Sequence, residues 1–149
     1  FIFLDGENVT EAIRQPQVSR NVSLVAQFPE VRTVMVHKQK TIAARGGVIM
    51  DGRDIGTQVM PDAEHKIYLT ASLKERAHRR LEELLAKGET LTLEEMTREI
   101  AQRDRLDRQR ECSPLRPADD AVEIDTTRMS AEQVIEAIVK IVRGTQQGG

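Results

Sequence analysis

The chain has 149 residues, of which 39% are hydrophobic and 31% charged, and its 22 Lys and Arg against 24 Asp and Glu leave a net charge of −2 and a pI near 6.0. That length suits about one domain with a buried core, and the near-neutral balance argues against a bulk binder of nucleic acid or anionic membrane. Apolar runs are too short for a membrane span, no signal peptide is visible, and aromatics at 3% are too few for base-stacking platforms.

Phe1-Ile-Phe-Leu reads as a strand already under way, and Asp5-Gly6 as the turn that follows it. A chain that opens inside a strand is expected to be part of a longer one. Val18, Val22 and Val25 recur at helical spacing, and Pro29 opens a second helix carrying Val31, Met35, Lys38 and Ile42. Gly46-Gly47 stops it. Val48-Ile-Met50 is a short apolar run of the kind buried on both faces of a sheet, and Lys66-Ile-Tyr-Leu-Thr70 is a second.

Three capping boxes then mark helix starts: Ser72-Leu-Lys-Glu75, Thr92-Leu-Glu-Glu95 and Ser130-Ala-Glu-Gln133. The first helix is expected to close at Gly88 as its C′ residue, and the second at about Arg110, before Pro114 and Pro117. Ala121-Val-Glu-Ile-Asp125 is a third strand. The last helix turns Val134, Ile138, Ile141 and Val142 inward and closes at Gly144, followed by a polar, frayed tail. Strands separated by helices predict an α/β fold with a parallel sheet covered by helices.

Two places concentrate polar groups. At the end of the 48–50 strand, Asp51-Gly-Arg53-Asp54-Ile-Gly56-Thr57 puts three charges beside two glycines, where α/β sheets bind ligands. Arg53 suits a phosphate and Asp51 or Asp54 a base or water; a tight loop with a local Asp–Arg pair reads equally well. On the helix from residue 93, the inward stripe Leu93, Met96, Ile100 continues as Arg103, Asp107, Arg110, all within one sector of about 100°. Buried charges need partners, so these line a polar cleft for an anionic, hydroxylated ligand, or else belong to a solvated helix end with Arg103–Asp107 and Asp104–Arg108 pairs. Arg76, Arg79 and Arg80 form a third group among Glu75, Glu82 and Glu83, as on any exposed helix. His37, His65, His78 and the single cysteine, Cys112, have no metal-ligand spacing, and Cys112 excludes an internal disulfide, with the cytoplasm as the default compartment. Met96 and Met129 read as core or filler. The phosphate loop G-x-x-x-x-G-K-[ST] occurs nowhere in the 149 residues.

The stretches DGRDIGTQVMPDAEHKIYLTASLKERAHRR, REIAQRDRLDRQRECSPLRPADDAVEIDTT and SAEQVIEAI, preceded by GENVTEAIRQPQVSRNVSLVAQFPEVRTVMVHKQ, resemble the bacterial cytidylate kinases in order and over nearly the whole chain. The resemblance implies a P-loop kinase-like fold and transfer of the ATP γ-phosphoryl group, with Mg²⁺, to CMP or dCMP in the cytoplasm. It implies that Ser23, Arg32 and Asp54 contact cytosine. Arg53 and Arg110 would hold phosphate, with Arg14 a further candidate, while Arg103 and Asp107 reach the ribose and help to position phosphate. Arg53, Arg103 and Arg110 are then the catalytic candidates, acting by positioning and charge neutralisation. Arg79 and Arg80 would lie by a mobile lid over ATP.

By the same resemblance residues 1–45 form part of the monophosphate-binding region, a hairpin plus helices. Residues 46–144 form the core α/β segment with its lid at about 76–90, and 145–149 a flexible tail. Family members open with a strand, a phosphate loop and a further arginine, so an amino-terminal part and the strand between 48–50 and 66–70 are expected to be missing. The chain alone is then expected to transfer little or no phosphate, and to self-associate through the open sheet gap. Three alternatives stand beside this reading: a non-catalytic nucleotide-binding remnant, a kinase for another nucleoside monophosphate, and a helical nucleic-acid module at residues 98–110. The last is disfavoured by interleaved Asp and scarce aromatics.

Overall fold

The structure, a computed structural model, describes residues 1–145. Strands β1 (Phe3–Leu4) and β2 (Glu7–Asn8) pair as an antiparallel hairpin. Asp5 (φ 51°) and Gly6 (φ 87°) both take the left-handed backbone, which is what a two-residue turn matched to strand twist requires. A single 3-10 turn at Ala12–Arg14 leads into helix α1 (Pro16–Val25), and helix α2 (Pro29–Ala43) follows. Each has proline in its first turn, where the missing N–H costs nothing.

Residues 48–50 form no strand among the described residues, contrary to expectation, and Ile49 is fully exposed. An apolar segment becomes a strand only when a neighbour supplies hydrogen bonds to its backbone, and none lies alongside. The chain instead winds into a π-helical turn at Ile55–Val59.

Strand β3 (Ile67–Thr70) runs parallel to strand β4 (Val122–Asp125), in register from Ile67 opposite Val122 to Thr70 opposite Asp125. The expected sheet is therefore a small, two-stranded one among the described residues. Neither strand is buried on both faces, and Leu69 and Val122 are about half exposed, because a sheet of this width has no second layer over each face.

Helix α3 (Leu73–Leu85) and helix α4 (Leu93–Gln109) carry the apolar core instead. Ala77, Leu84 and Met96 are buried between them, flanked by Leu81, Leu91, Leu93 and Ile100. The Thr92–Glu95 capping box forms in both directions. At Ser72 only half of the expected box forms. The hydroxyl accepts from the Glu75 N–H at 3.2 Å, but the Glu75 carboxylate turns to Arg79 at 2.8 Å and the Ser72 N–H goes to the Thr127 hydroxyl. Gly88 closes α3 as expected, with φ 85°. Its N–H donates to Leu85 O and that of Glu89 to Leu84 O, each at 3.0 Å, the paired bonds of a left-handed helix end.

Helix α5 (Ala131–Thr145) starts at the Ser130–Gln133 box, which also forms in both directions. It runs through Gly144 rather than closing there, and the rest of the expected tail, 146–149, lies outside the described residues. Val134, Ile138, Ile141 and Val142 are, with Ala137, its less exposed positions, as the spacing of those four predicts.

Candidate functional site

The 51–54 bend, the inner faces of α1 and α2, and the carboxyl end of α4 converge on a cleft of about 130 Å³. Gly52 makes the bend possible: a β-carbon there would sit 2.8 Å from the Ile55 side chain. Asp54 stands at the start of the π-helical turn and its carboxylate accepts from the Arg32 guanidinium, both side chains being about nine-tenths buried. Arg103, Asp107 and Arg110 enter from α4. Their spacing puts them on one face, which is buried at Asp107 (2% exposed) and Arg110 (8% exposed) and partly open at Arg103, whose side chain is 42% exposed.

Charges interleave across the cleft. Asp107 Oδ2 lies 3.4 Å from Arg53 Nε and 3.9 Å from Arg103 Nε, while its Oδ1 lies 3.7 Å from Arg110 Nη1. Arg110 Nη2 stands 4.0 Å from Asp54 Oδ1. Four lining guanidiniums, Arg32, Arg53, Arg103 and Arg110, against two carboxylates, Asp54 and Asp107, leave a local charge of +2. Burial, and then repulsion from Arg53, holds the Arg103 pKa below its ordinary value. Burial, and then Arg32, does the same to Arg110.

Hydrogen bonding is incomplete in a specific way. Arg32 Nε, Arg103 Nε, Arg110 Nη2 and Asp107 Oδ2 are buried without a hydrogen-bond partner. Unmet buried groups are costly. Three of these are donors that an anion would satisfy, and one is an acceptor that a hydroxyl would satisfy. Val22, Ala26 and Ile55 add an apolar wall.

A second, larger groove of about 360 Å³ lies between α3 and α4. Its buried carboxylate, Asp104, is matched by Arg76 at 2.7 Å, so no unmet buried side-chain group faces it among the described residues.

A family model described as cytidylate kinase matches residues 1–144. The chain belongs to the cytidylate kinase family. The cytidylate kinases of Bacillus cereus strain B4264 and Bacillus thuringiensis strain Al Hakam are each 54% identical to it over 143 residues, covering 96% of this chain and 64% of the relative. The chain thus spans less than two thirds of the length of these curated relatives.

Of the positions selected by likeness to the cytidylate kinases, the structure gathers Ser23, Arg32, Arg53, Asp54, Arg103, Asp107 and Arg110 on this one cleft. It does not bring Arg14 there; that side chain is 61% exposed and pairs with Glu11 at 3.0 Å. Arg79 is engaged elsewhere, donating to the Thr126 carbonyl at 2.6 Å, the Thr126 hydroxyl at 3.1 Å and the Met129 carbonyl at 3.2 Å. Arg80 pairs with Glu83 at 2.6 Å and stands near enough to Arg103 to repel it.

Sequence reasoning missed Gln39, which lines the cleft seven positions after Arg32 on α2; that two-turn spacing was the available signal. The alternative of a solvated helix end paired Asp104 with Arg108, whereas the structure pairs it with Arg76 across the helix interface. No group of three or more His, Cys, Asp or Glu side chains that could hold a metal ion occurs among the described residues, nor does any helix long and apolar enough to cross a membrane.

Proposed function

We propose that the chain supplies the acceptor side of a nucleoside monophosphate kinase that phosphorylates CMP or dCMP from ATP, in cytoplasmic pyrimidine nucleotide metabolism. The observation that carries this reading is the set of buried guanidinium atoms without hydrogen bonds in a cleft of charge +2. A nucleoside monophosphate offers a matching dianion, and its sugar hydroxyls match the Asp107 oxygen that lacks a hydrogen bond. Arg53, Arg103 and Arg110 hold and neutralise the phosphate, with Asp107 also reaching the ribose. Ser23, Arg32 and Asp54 present the polar edge that selects cytosine. In this division residues 1–45 form part of the monophosphate-binding region, and 46–144 the core, with the lid at about 76–90.

Phosphoryl transfer needs the two anions held in line and their charge neutralised, with no covalent nucleophile on the protein. The acceptor half of that task fits the residues present. The donor half does not: the 149 residues hold no G-x-x-x-x-G-K-[ST] loop, and no three potential metal ligands converge among those described. Mg²⁺ in this reading arrives on the ATP phosphates. Arg79 and Arg80 join the donor side only if Arg79 leaves its carbonyl partners.

Two measurements test the proposal. Calorimetry is expected to show CMP binding more tightly than cytidine to the chain alone; equal affinities sink the phosphate reading. A coupled ADP-release assay is expected to show no turnover by this chain alone near the kinase range of about 1–100 s⁻¹. Competition among CMP, dCMP, UMP and AMP settles the base. Self-association through the exposed β3 edge and Ile49 is part of the same proposal, and a monomer by light scattering at all concentrations removes that part. Cell fractionation tests the cytoplasmic setting.

A further inference from the structure

Arg110 is tethered from behind. Its Nε donates to the Ser113 carbonyl at 2.5 Å, and its side chain is 3% exposed. Ser113 has φ 53°, in the left-handed region that side-chain-bearing residues seldom adopt. The chain reverses there, just past the end of α4. Leu115 N–H then donates to the Asp107 carbonyl at 2.8 Å, closing the loop onto the last turn of the helix. Both residues that the loop grips, Asp107 and Arg110, line the cleft. With Nε engaged behind, Arg110 Nη2 is left buried and without a hydrogen-bond partner.

We infer that Ser113 is a positioning residue for the phosphate-binding arm. Its left-handed backbone aims the carbonyl that fixes the Arg110 guanidinium, and so turns toward the ligand an Nη edge that is ion-paired with Asp54 and Asp107 but whose Nη2 has no hydrogen bond. Ser113 acts through Arg110 and lines no part of the cleft itself. A long side chain immobilised before the ligand arrives loses less freedom on binding, which raises affinity. The role belongs to the backbone: the Ser113 hydroxyl has a single weak contact, Cys112 Sγ at 3.8 Å. Glycine, which adopts φ > 0 freely, should therefore substitute, and a β-branched residue should not. This inference rests on the reading of the cleft as a phosphate site.

The test is calorimetry of CMP and of cytidine with the chain and with Ser113→Gly and Ser113→Val. The unchanged chain and Ser113→Gly are expected to share one CMP-over-cytidine preference. Ser113→Val is expected to lose roughly tenfold of its CMP affinity, as for one weakened charged hydrogen bond, with cytidine affinity unchanged. An unchanged chain without preference for CMP overturns the phosphate reading and this inference with it. A chain that prefers CMP, together with a Ser113→Val variant that keeps the full preference, overturns the positioning role alone. Should Ser113→Val fail to fold, the Arg110 Nε–H resonance, assigned by its loss in Arg110→Lys, decides the matter. Slow exchange with water supports the tether, and exchange as fast as that of exposed arginines overturns it.

Discussion

Arg32 and Asp54 lie 22 residues apart in sequence and form an ion pair in which both side chains are about nine-tenths buried. This contact joins α2 to the 51–54 bend and fixes one wall of the cleft. A second guanidinium, Arg110, stands 4.0 Å from the same carboxylate.

Removing Asp54 alone strands the buried Arg32 cation and leaves Arg110 with Asp107 as its carboxylate. Asp54→Ala is expected to cost about 3–5 kcal/mol of stability, the usual consequence of leaving a buried charge unpaired, read from the midpoint of urea unfolding. Pairing Asp54→Leu with Arg32→Met is expected to restore much of that loss, since well-packed apolar groups often replace a buried pair at little cost. The double variant is not expected to recover CMP binding. A single variant as stable as the parent chain would show the pair to be solvated.

Arg53 reaches Asp107 at 3.4 Å but keeps 37% of its side chain exposed at the cleft mouth. Arg53→Ala is expected to weaken CMP by about 1.5–3 kcal/mol, the range for hydrogen bonds to charged groups, and cytidine by much less. Calorimetry in low and high salt checks this, and the variant's CMP affinity should depend less steeply on salt. Equal losses for CMP and cytidine would place Arg53 away from the phosphate.

Met96 is 2% exposed in the small core between α3 and α4. Met96→Ala is expected to cost about 2–5 kcal/mol, the range for truncating a buried large side chain, read by thermal or urea unfolding. That core also orients the polar half of α4, so CMP affinity should fall with stability. A loss under 1 kcal/mol would mean that the helix pair is held together elsewhere.

The Glu95 carboxylate accepts from the Thr92 backbone N–H at 2.8 Å and its hydroxyl at 2.7 Å, and these bonds hold its pKa below the ordinary value. A carboxyl whose folded pKa is depressed stabilises the fold above its unfolded pKa, and the contribution fades as pH falls through the folded value. The start of α4 is therefore expected to weaken in acid, below the ordinary Glu range of about 4.3. Glu95→Gln keeps an acceptor for the Thr92 N–H and should flatten this part of the profile. Melting curves from pH 7 to 3 provide the check, and identical profiles for the two chains would remove Glu95 as a contributor.

Much of the architecture was local and so legible. The Asp5-Gly6 turn, the prolines at the starts of α1 and α2, the Thr92 and Ser130 capping boxes and the Gly88 stop each depend on a few adjacent residues. What failed needed a distant partner. Residues 48–50 have strand composition but no neighbour to bond with, and the Ser72 N–H that Glu75 was to cap goes to the Thr127 hydroxyl, 55 residues on.

The sequence by itself determined that α4 changes along one face from Leu93, Met96 and Ile100 to Arg103, Asp107 and Arg110, because helical periodicity places those side chains together whatever lies beside them. Only the tertiary structure decided that Asp107 and Arg110 are buried, with Arg103 partly open beside them. It did so by setting Arg53 and Asp54 against the helix, turning Asp104 to Arg76 instead of Arg108, and leaving guanidinium donors without acceptors. Burial and charge pairing depend on residues far apart in the chain, and no local pattern specifies which of them will meet.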